Sequence, residues 1–244
     1  MKNIKINYFQ KGFNYSQDGP GNRLVYHLGG CNMHCPWCSN PEGMDINGDY
    51  VTATVDEIYD EILSCKPMFF DHGGVTFTGG ECSLQSKPLL ELFDMLKKVG
   101  VSTAIETNAC TTDFLPLARE CDVIILDFKH PLADKLSLIG GNLSLIRENI
   151  LTIAKEKSLH IRIPLIRDFN DDDAALAGFC SFFGELYTLG AVFDVEILPY
   201  HEYGKEKWQK IGREYTVKNG FVCKETLKKF SVAFKNQNIK LIKT

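Results

Sequence analysis

From about residue 22 to the end of the chain, short runs of apolar and β-branched residues alternate with longer stretches in which apolar positions recur at helical spacing. The runs at 23–28, 75–78, 103–107, 123–128, 160–166 and 192–198 predict six strands. Val123-Ile124-Ile125-Leu126 is apolar at consecutive positions, as expected of a parallel strand covered by helices on both faces. Thr54 and Glu57, ahead of Ile58, Ile62 and Leu63, carry a capping-box signal, in which hydroxyl and carboxylate satisfy the free amides of a helix start. Leu89, Leu92, Phe93 and Leu96 mark one face of a second helix that stops at Gly100. Further helices are predicted over 149–157, 171–187 and 225–236, their leucine and phenylalanine stripes facing a core.

Strand then helix, repeated about six times, predicts an α/β fold with right-handed crossovers, either a doubly wound sheet or a partial (β/α) barrel. Both place functional groups at the carboxyl ends of the strands. No composition break, low-complexity stretch or internal repeat marks a boundary within the 244 residues. The 27 Lys and Arg against 31 Asp and Glu leave a net charge of −4, which excludes a strongly basic nucleic-acid binder and an acidic tail. With 44% hydrophobic and 24% charged residues the composition is that of a globular protein. No apolar run approaches the roughly 20 residues of a membrane span, and Met1-Lys-Asn-Ile-Lys-Ile lacks the apolar core of a signal peptide. The expectation is a cytoplasmic protein with neither nucleic acid nor membrane as partner.

Nine cysteines change that bland picture. An odd count argues against a disulfide framework and for a reducing compartment. Cys31-Asn-Met-His-Cys35-Pro-Trp-Cys38 follows the first predicted strand after Gly29-Gly30, with C-x3-C-x2-C spacing. Structural zinc takes four ligands, normally as two separated pairs, and there is no second C-x2-C; His34 lies inside the loop. Three thiolates suit a cubane iron-sulfur cluster whose fourth iron stays open to a small molecule, where ferredoxin clusters take four cysteines. A zinc knob is the structural alternative. Cys65, Cys121, Cys180 and Cys223 read as small apolar residues on or near helices, and Cys82 and Cys110 as free thiols after strand ends.

The triplet, with Trp37 before its last cysteine, resembles that of the radical S-adenosylmethionine enzymes. An ordered set is similar to their glycyl-radical-enzyme activase branch, of formate-lyase type: Asp18-Gly-Pro-Gly21, Gly74-Val-Thr-Phe-Thr-Gly-Gly-Glu81, Glu106-Thr-Asn108, Leu126-Asp-Phe-Lys129, Arg162, and Leu198-Pro-Tyr-His-Glu-Tyr-Gly-Lys205 ahead of Trp208. The likeness runs from Asp18 almost to the C-terminus. It implies a partial (β/α)6 TIM-like barrel of parallel strands and outer helices, as a single domain over residues 1–244. It implies an oxidoreductase of anaerobic metabolism, with one 4Fe-4S cluster on Cys31, Cys35 and Cys38. The reduced cluster would cleave S-adenosylmethionine to methionine and a 5′-deoxyadenosyl radical. That radical would take a hydrogen atom from a backbone glycine of a partner enzyme, with no side chain needed as a general base.

The resemblance also implies roles for residues. Trp37, Cys38 and Ser39 line the adenosine; Gly79 and Gly80 receive the methionyl amino group; Asp127, Phe128 and Lys129 run along the cofactor, Lys129 against its carboxylate; His201 is a further contact. Glu106 stands where family members carry Asp at a monovalent-cation site, and Ala109 where they carry glycine. Asp18 and Arg162 correspond to positions that meet the partner peptide. The implied partners are a glycyl radical enzyme and an external one-electron donor such as flavodoxin or ferredoxin, with the chain itself a monomer. Many activases of this branch insert a ferredoxin-like domain with eight more cysteines after the triplet; here a helix begins near Thr54 and leaves no room. The wording Cys35-Pro-Trp-Cys-Ser-Asn-Pro-Glu42 is nevertheless that of insert-bearing members, which leaves the partner's identity open. Two other readings compete. One is a radical enzyme acting on a small molecule or peptide, differing near Asp18, Arg162 and residues 168–173; the other is a non-catalytic iron-sulfur or zinc module. Lys205, Lys207 and Lys210 read as a solvated face.

Overall fold

The computed structural model describes residues 4–243, which fall into two compact units. The first holds the residues up to Asn32, Glu42–Thr107 and Thr111–Ile125. In it β1 (Lys5–Tyr15) and β2 (Asn22–Leu28) form an antiparallel pair, and β3 (Val51–Thr54) lies antiparallel on the other edge of β1. Then follow α1 (Val55–Cys65), β4 (Gly74–Gly79), α2 (Ser86–Lys98), β5 (Ser102–Thr107) and α3 (Phe114–Glu120). β2, β4 and β5 are parallel, and the order within the unit is β3-β1-β2-β4-β5. The capping box forms as expected: Glu57 N donates to Thr54 Oγ1 at 3.2 Å and Thr54 N to Glu57 Oε2 at 2.7 Å. The α2 stripe of Leu89, Leu92, Phe93 and Leu96 is buried, with Phe93 5.7 Å from Phe77 of β4.

β6 (Val123–Asp127) begins in the first unit and ends in the second, which holds Met33–Pro41, Asn108–Cys110 and everything from Leu126. There α4 (Ala133–Ser137), α5 (Leu143–Ile153), β7 (Leu159–Leu165), α6 (Asp173–Thr188), β8 (Phe193–Pro199), α7 (Lys205–Lys210) and α8 (Lys224–Asn236) follow. β7 and β8 are parallel, in register from Leu159↔Phe193 to Leu165↔Pro199. The core is aromatic: Phe128 lies 4.7 Å from Phe182 and 5.5 Å from Phe179, and Phe183 lies 5.3 Å from Phe234. Each such ring, fully buried, contributes on the order of 2–3 kcal/mol.

The α/β class with parallel strands and surrounding helices stands, and the six predicted strands are all present, with shifts of a residue or two at their ends. β1 and β3 were not expected; β1 mixes polar and apolar residues and is largely exposed beyond Phe9, so its signal falls below that of the covered strands. The helix predicted over 149–157 is α5, which starts earlier because Asn142 caps it, its side chain accepting from Leu145 N at 3.2 Å, and which ends at Ile153. Among the described residues no helix is long and apolar enough to cross a membrane.

Candidate functional site

In the first unit, the turn after β4 is built from backbone. Gly79 has φ +102, and Gly80 N donates to Leu28 O at 2.8 Å while Glu81 N donates to Gly30 O at 2.7 Å. A Cβ on Gly80 would lie 2.1 Å from Gly30 O and 2.8 Å from Gly43 O, so only glycine fits where these chains meet. Glu81 is fully buried; its Oε1 accepts from Ser83 N at 3.0 Å, Ser83 Oγ at 2.5 Å and Thr107 Oγ1 at 2.6 Å, and Ser83 Oγ lies 2.7 Å from Thr111 Oγ1. This acidic knot fixes the turn; Ser83 and Thr111 carry no motif signal, and Thr107, though inside the Glu106–Asn108 motif, carries none that pairs it with Glu81. The knot's only signal in sequence is an acidic residue between a glycine pair and the polar Cys82-Ser83. Beside it, Thr78 Oγ1 donates to the half-buried Glu106 at 2.7 Å. Cys82 is buried and its thiol is pushed well up, by burial first and then by the charges of Glu81, Cys121 and Glu106, which keeps it an inert space-filler.

The same unit carries Asp18. Its carbonyl accepts from Thr76 Oγ1 at 2.6 Å, and its carboxylate accepts from Asn14 Nδ2. Thr76 Oγ1 in turn accepts from Nε of Arg23 at 2.7 Å; Arg23 is fully buried and also donates to the carbonyls of Val75 at 2.8 Å and Ser102 at 3.1 Å. Burial depresses its guanidinium pKa to about 10, against the opposing charges of Asp122 and Asp18. Thr76 and Thr78 share one face of β4, so Asp18 sits two residues along that face from the Thr78–Glu106 contact.

The cysteine triplet follows β2. Cys31 is half-buried in the first unit; Cys35 is buried and Cys38 half-buried in the second. Cys38 N donates to Cys35 O at 3.1 Å, and Asn40 N donates to Cys38 Sγ at 3.3 Å, the kind of bond that steadies a thiolate. Burial pushes the Cys35 thiol up to about 12, with Lys129 opposing and Cys38 and Asp127 adding to the rise, so a metal must displace its proton. None of the three is tied up in a disulfide, and among the described residues no three His, Cys, Asp or Glu side chains are already gathered as a metal group. By donor chemistry the loop fits an iron-sulfur cluster: three thiols within eight residues, on a glycine-led loop, one of them already accepting an amide hydrogen bond.

α7 braces the last cysteine. Trp208 Nε1 donates to Cys38 O at 3.0 Å, Lys207 Nζ to Asn40 Oδ1 at 3.1 Å, and a Cβ on Gly204 would lie 2.2 Å from Cys38 O. Lys207 is therefore part of this brace, whereas Lys205 and Lys210 are exposed as expected. Trp37 lies 4.5 Å from Phe169, whose ring also meets His130 at 4.9 Å; Ser39 is half-buried beside it in sequence. Burial lowers the pKa of His130, the backbone carbonyl of Phe169 opposing. Lys129 Nζ donates to Asp127 Oδ2 at 2.7 Å. Phe128 between them turns its ring into the aromatic core and its N–H to Arg162 O at 2.9 Å, so its side chain serves packing. Asn170 Nδ2 donates to the carbonyls of Lys129 and Pro164, both at 2.8 Å, fixing this strand end. His201, half-buried, stacks on Tyr203 at 4.2 Å and is lowered in pKa by burial.

After β5, Ala109 has φ +55, the conformation for which glycine is suited; Asn149 Nδ2 holds its carbonyl at 2.8 Å. Cys110 is buried and its sulfur accepts from Asn142 N at 3.1 Å. Arg162 is buried on β7, with Nε donating to Glu196 Oε2 at 3.1 Å.

Known proteins resemble the chain in sequence and in fold. The family described as the Radical SAM superfamily matches residues 25–180. The chain is 37% identical over 219 residues to the pyruvate formate-lyase-activating enzyme of Staphylococcus epidermidis, covering 83% of this chain and 84% of that one. Among solved structures it is similar to a domain of pyruvate-formate lyase-activating enzyme from Bacteroides vulgatus, with 23% identity, TM-score 0.56, and 70% of this chain and 98% of that one covered. It is also similar to a radical SAM methyltransferase from Sphaerobacter thermophilus, with 13% identity, TM-score 0.63, and 95% and 72% covered. At these identities the two structures speak for the fold alone.

Proposed function

The chain belongs to the radical SAM superfamily and, within it, to the family of the pyruvate formate-lyase-activating enzymes, and from that premise we propose that it activates a pyruvate formate-lyase, holding one 4Fe-4S cluster on Cys31, Cys35 and Cys38. It is an enzyme, an oxidoreductase-type activase of a glycyl radical enzyme. The observation that carries the cluster assignment is the set of three thiols outside any disulfide on one glycine-led loop, its last member braced by α7.

When cluster and S-adenosylmethionine are bound, they supply reductive cleavage of the cofactor and removal of a hydrogen atom from a backbone glycine of the partner. The protein's own residues bind and orient. Gly79 and Gly80 let backbone approach the methionyl end, with Glu81 beneath holding the turn. Asp127 holds the Lys129 ammonium in place, and Lys129 neutralises the cofactor carboxylate. Trp37, Ser39 and His201 line the adenosine, where flat rings offer stacking surface. Glu106, oriented by Thr78, supplies the charge for a monovalent cation. Asp18 and Arg162 meet the partner's glycine-bearing peptide. Nine cysteines, none of them in a disulfide, support a reducing cytoplasm as its place of action. Flavodoxin or ferredoxin gives the electron, and the activase works as a monomer.

The test is anaerobic reconstitution with iron and sulfide, then reduction with S-adenosylmethionine and pyruvate formate-lyase, followed by electron paramagnetic resonance. A glycyl radical on the partner that requires S-adenosylmethionine is the expected result. Cleavage without a partner radical would move the chain to small-molecule or peptide chemistry; metal binding without cleavage would make it a redox or interaction module.

A further inference from the structure

On the reading that Arg162 meets the partner's peptide, we infer that Glu196 is a positioning residue for that contact, setting the plane in which the Arg162 guanidinium is presented. The two residues are register partners on β7 and β8. Side chains alternate along a strand, so His160 and Arg162 share a face of β7, and Asp194 and Glu196 the matching face of β8. The four form one string. Asp194 Oδ1 lies 2.6 Å from His160 Nδ1, His160 Nε2 lies 3.3 Å from Glu196 Oε2, and that same oxygen accepts from Arg162 Nε at 3.1 Å. At the outer end Lys240 Nζ donates to Asp194 Oδ2 at 3.2 Å. Arg162 is 6% and Glu196 4% exposed, so both charges have been taken out of water.

Stability does not account for this investment. A buried ion pair roughly breaks even against an apolar pair of the same size, and Ile161, Ile163 and Val195, at the alternate positions of the same two strands, show that these strands carry apolar residues where only packing is asked. What the string supplies is direction. A carboxylate on Nε stops rotation of the planar fork about its stem, and a histidine clamped at both ring nitrogens stops that carboxylate from turning away. Preorganisation of this kind lowers the ordering cost of a contact without adding an atom to it.

The experiment uses the full chain and full-length pyruvate formate-lyase. It measures equilibrium binding without turnover and the partner concentration for half-maximal activation, with partner-free S-adenosylmethionine cleavage reporting on folding. Arg162→Gln and Glu196→Gln are each expected to weaken binding tenfold or more, the double variant no further than the worse single, and Glu196→Gln is expected to retain cleavage. Wild-type binding by Glu196→Gln beside weakened binding by Arg162→Gln overturns the inference and leaves the role of Arg162 standing. Wild-type binding by Arg162→Gln overturns the reading beneath it. Multiplying effects in the double variant overturn the inference too, because Glu196 would then act independently of Arg162. Should Glu196→Gln lose cleavage, Glu196→Asp carries the test: weaker binding with cleavage retained supports positioning, and wild-type binding overturns it.

Discussion

Trp208 and Cys38 are joined by a hydrogen bond of 3.0 Å from indole N–H to backbone carbonyl, across 170 positions of sequence. The bond fixes α7 on the last cysteine of the triplet, and the close approach of Gly204 to the same carbonyl leaves that segment little room to move. Trp208→Phe keeps an aromatic ring and removes the donor, which costs about 1 kcal/mol net. The expected outcome is a thermal midpoint roughly 2–4 °C lower, with iron lost to a chelator severalfold faster than from the parent after reconstitution. Parental iron retention would show that α7 merely lies beside the loop.

The nine cysteines divide by place. Cys35→Ala removes the buried member of the triplet, and the expected result is no glycyl radical on the partner by electron paramagnetic resonance. Cys180 lies half-buried on α6, its thiol pushed up by burial alone. Cys180→Ser should leave iron content and activation at parental levels and shift stability by no more than about 1 kcal/mol. Radical formation by the Cys35 variant would remove it from the ligand set.

What the sequence disclosed follows from how local each signal is. Thr54 with Glu57, and the stripe from Leu89 to Leu96, act within one helix and stand in the structure as read. The triplet and the Gly79–Gly80 turn are contiguous motifs and were equally visible. β1 was not, because a half-exposed antiparallel strand such as Lys5–Tyr15 mixes its polar and apolar positions. The same limit hid the partners of the motif residues. Thr107 under Glu81, Trp208 on Cys38 and Glu196 on Arg162 are 26, 170 and 34 residues from their mates, distances at which no spacing rule operates. Phe128 shows a second limit: it lies within the Asp127–Lys129 motif, and the motif alone does not show that its ring turns into the aromatic core.

Two glycines test the turn after β4. Gly80→Ala would place a Cβ against Gly30 O and Gly43 O, both backbone atoms that cannot rotate away, and is expected to cost about 2 kcal/mol or more. Because Gly30 directly precedes Cys31, iron incorporation should fall as well. Gly184 is exposed in α6, and a Cβ added there would meet nothing within 4 Å, so Gly184→Ala should stabilise by about 0.5–1 kcal/mol through helix propensity. Urea unfolding of the two variants decides; equal effects would mean that the Gly30–Gly80 approach is slack.

His160 gives the fold a pH dependence of definite sign. Burial and the nearby Arg162 oppose its charge, but hydrogen bonds to Asp194 and Glu196 prevail and raise its pKa above the ordinary value of 6.5. A folded-state pKa above the unfolded one means that the folded chain binds the proton more tightly, so this contribution is complete below about pH 6.5 and fades as pH rises through the folded value. Asp194 behaves oppositely: burial opposes its charge, yet His160 and Lys240 hold its pKa below 3.8, so its contribution persists above that value and is lost only in stronger acid. The window for His160 alone therefore opens near pH 6.5 and runs upward through its raised folded-state value. His160→Gln keeps hydrogen-bonding capacity and removes the titration. The stability gap between parent and variant, from urea unfolding across that window, should be widest at the acid end and narrow steadily toward the alkaline end. A gap that is flat or widens with pH would show that His160 is held neutral between its two carboxylates.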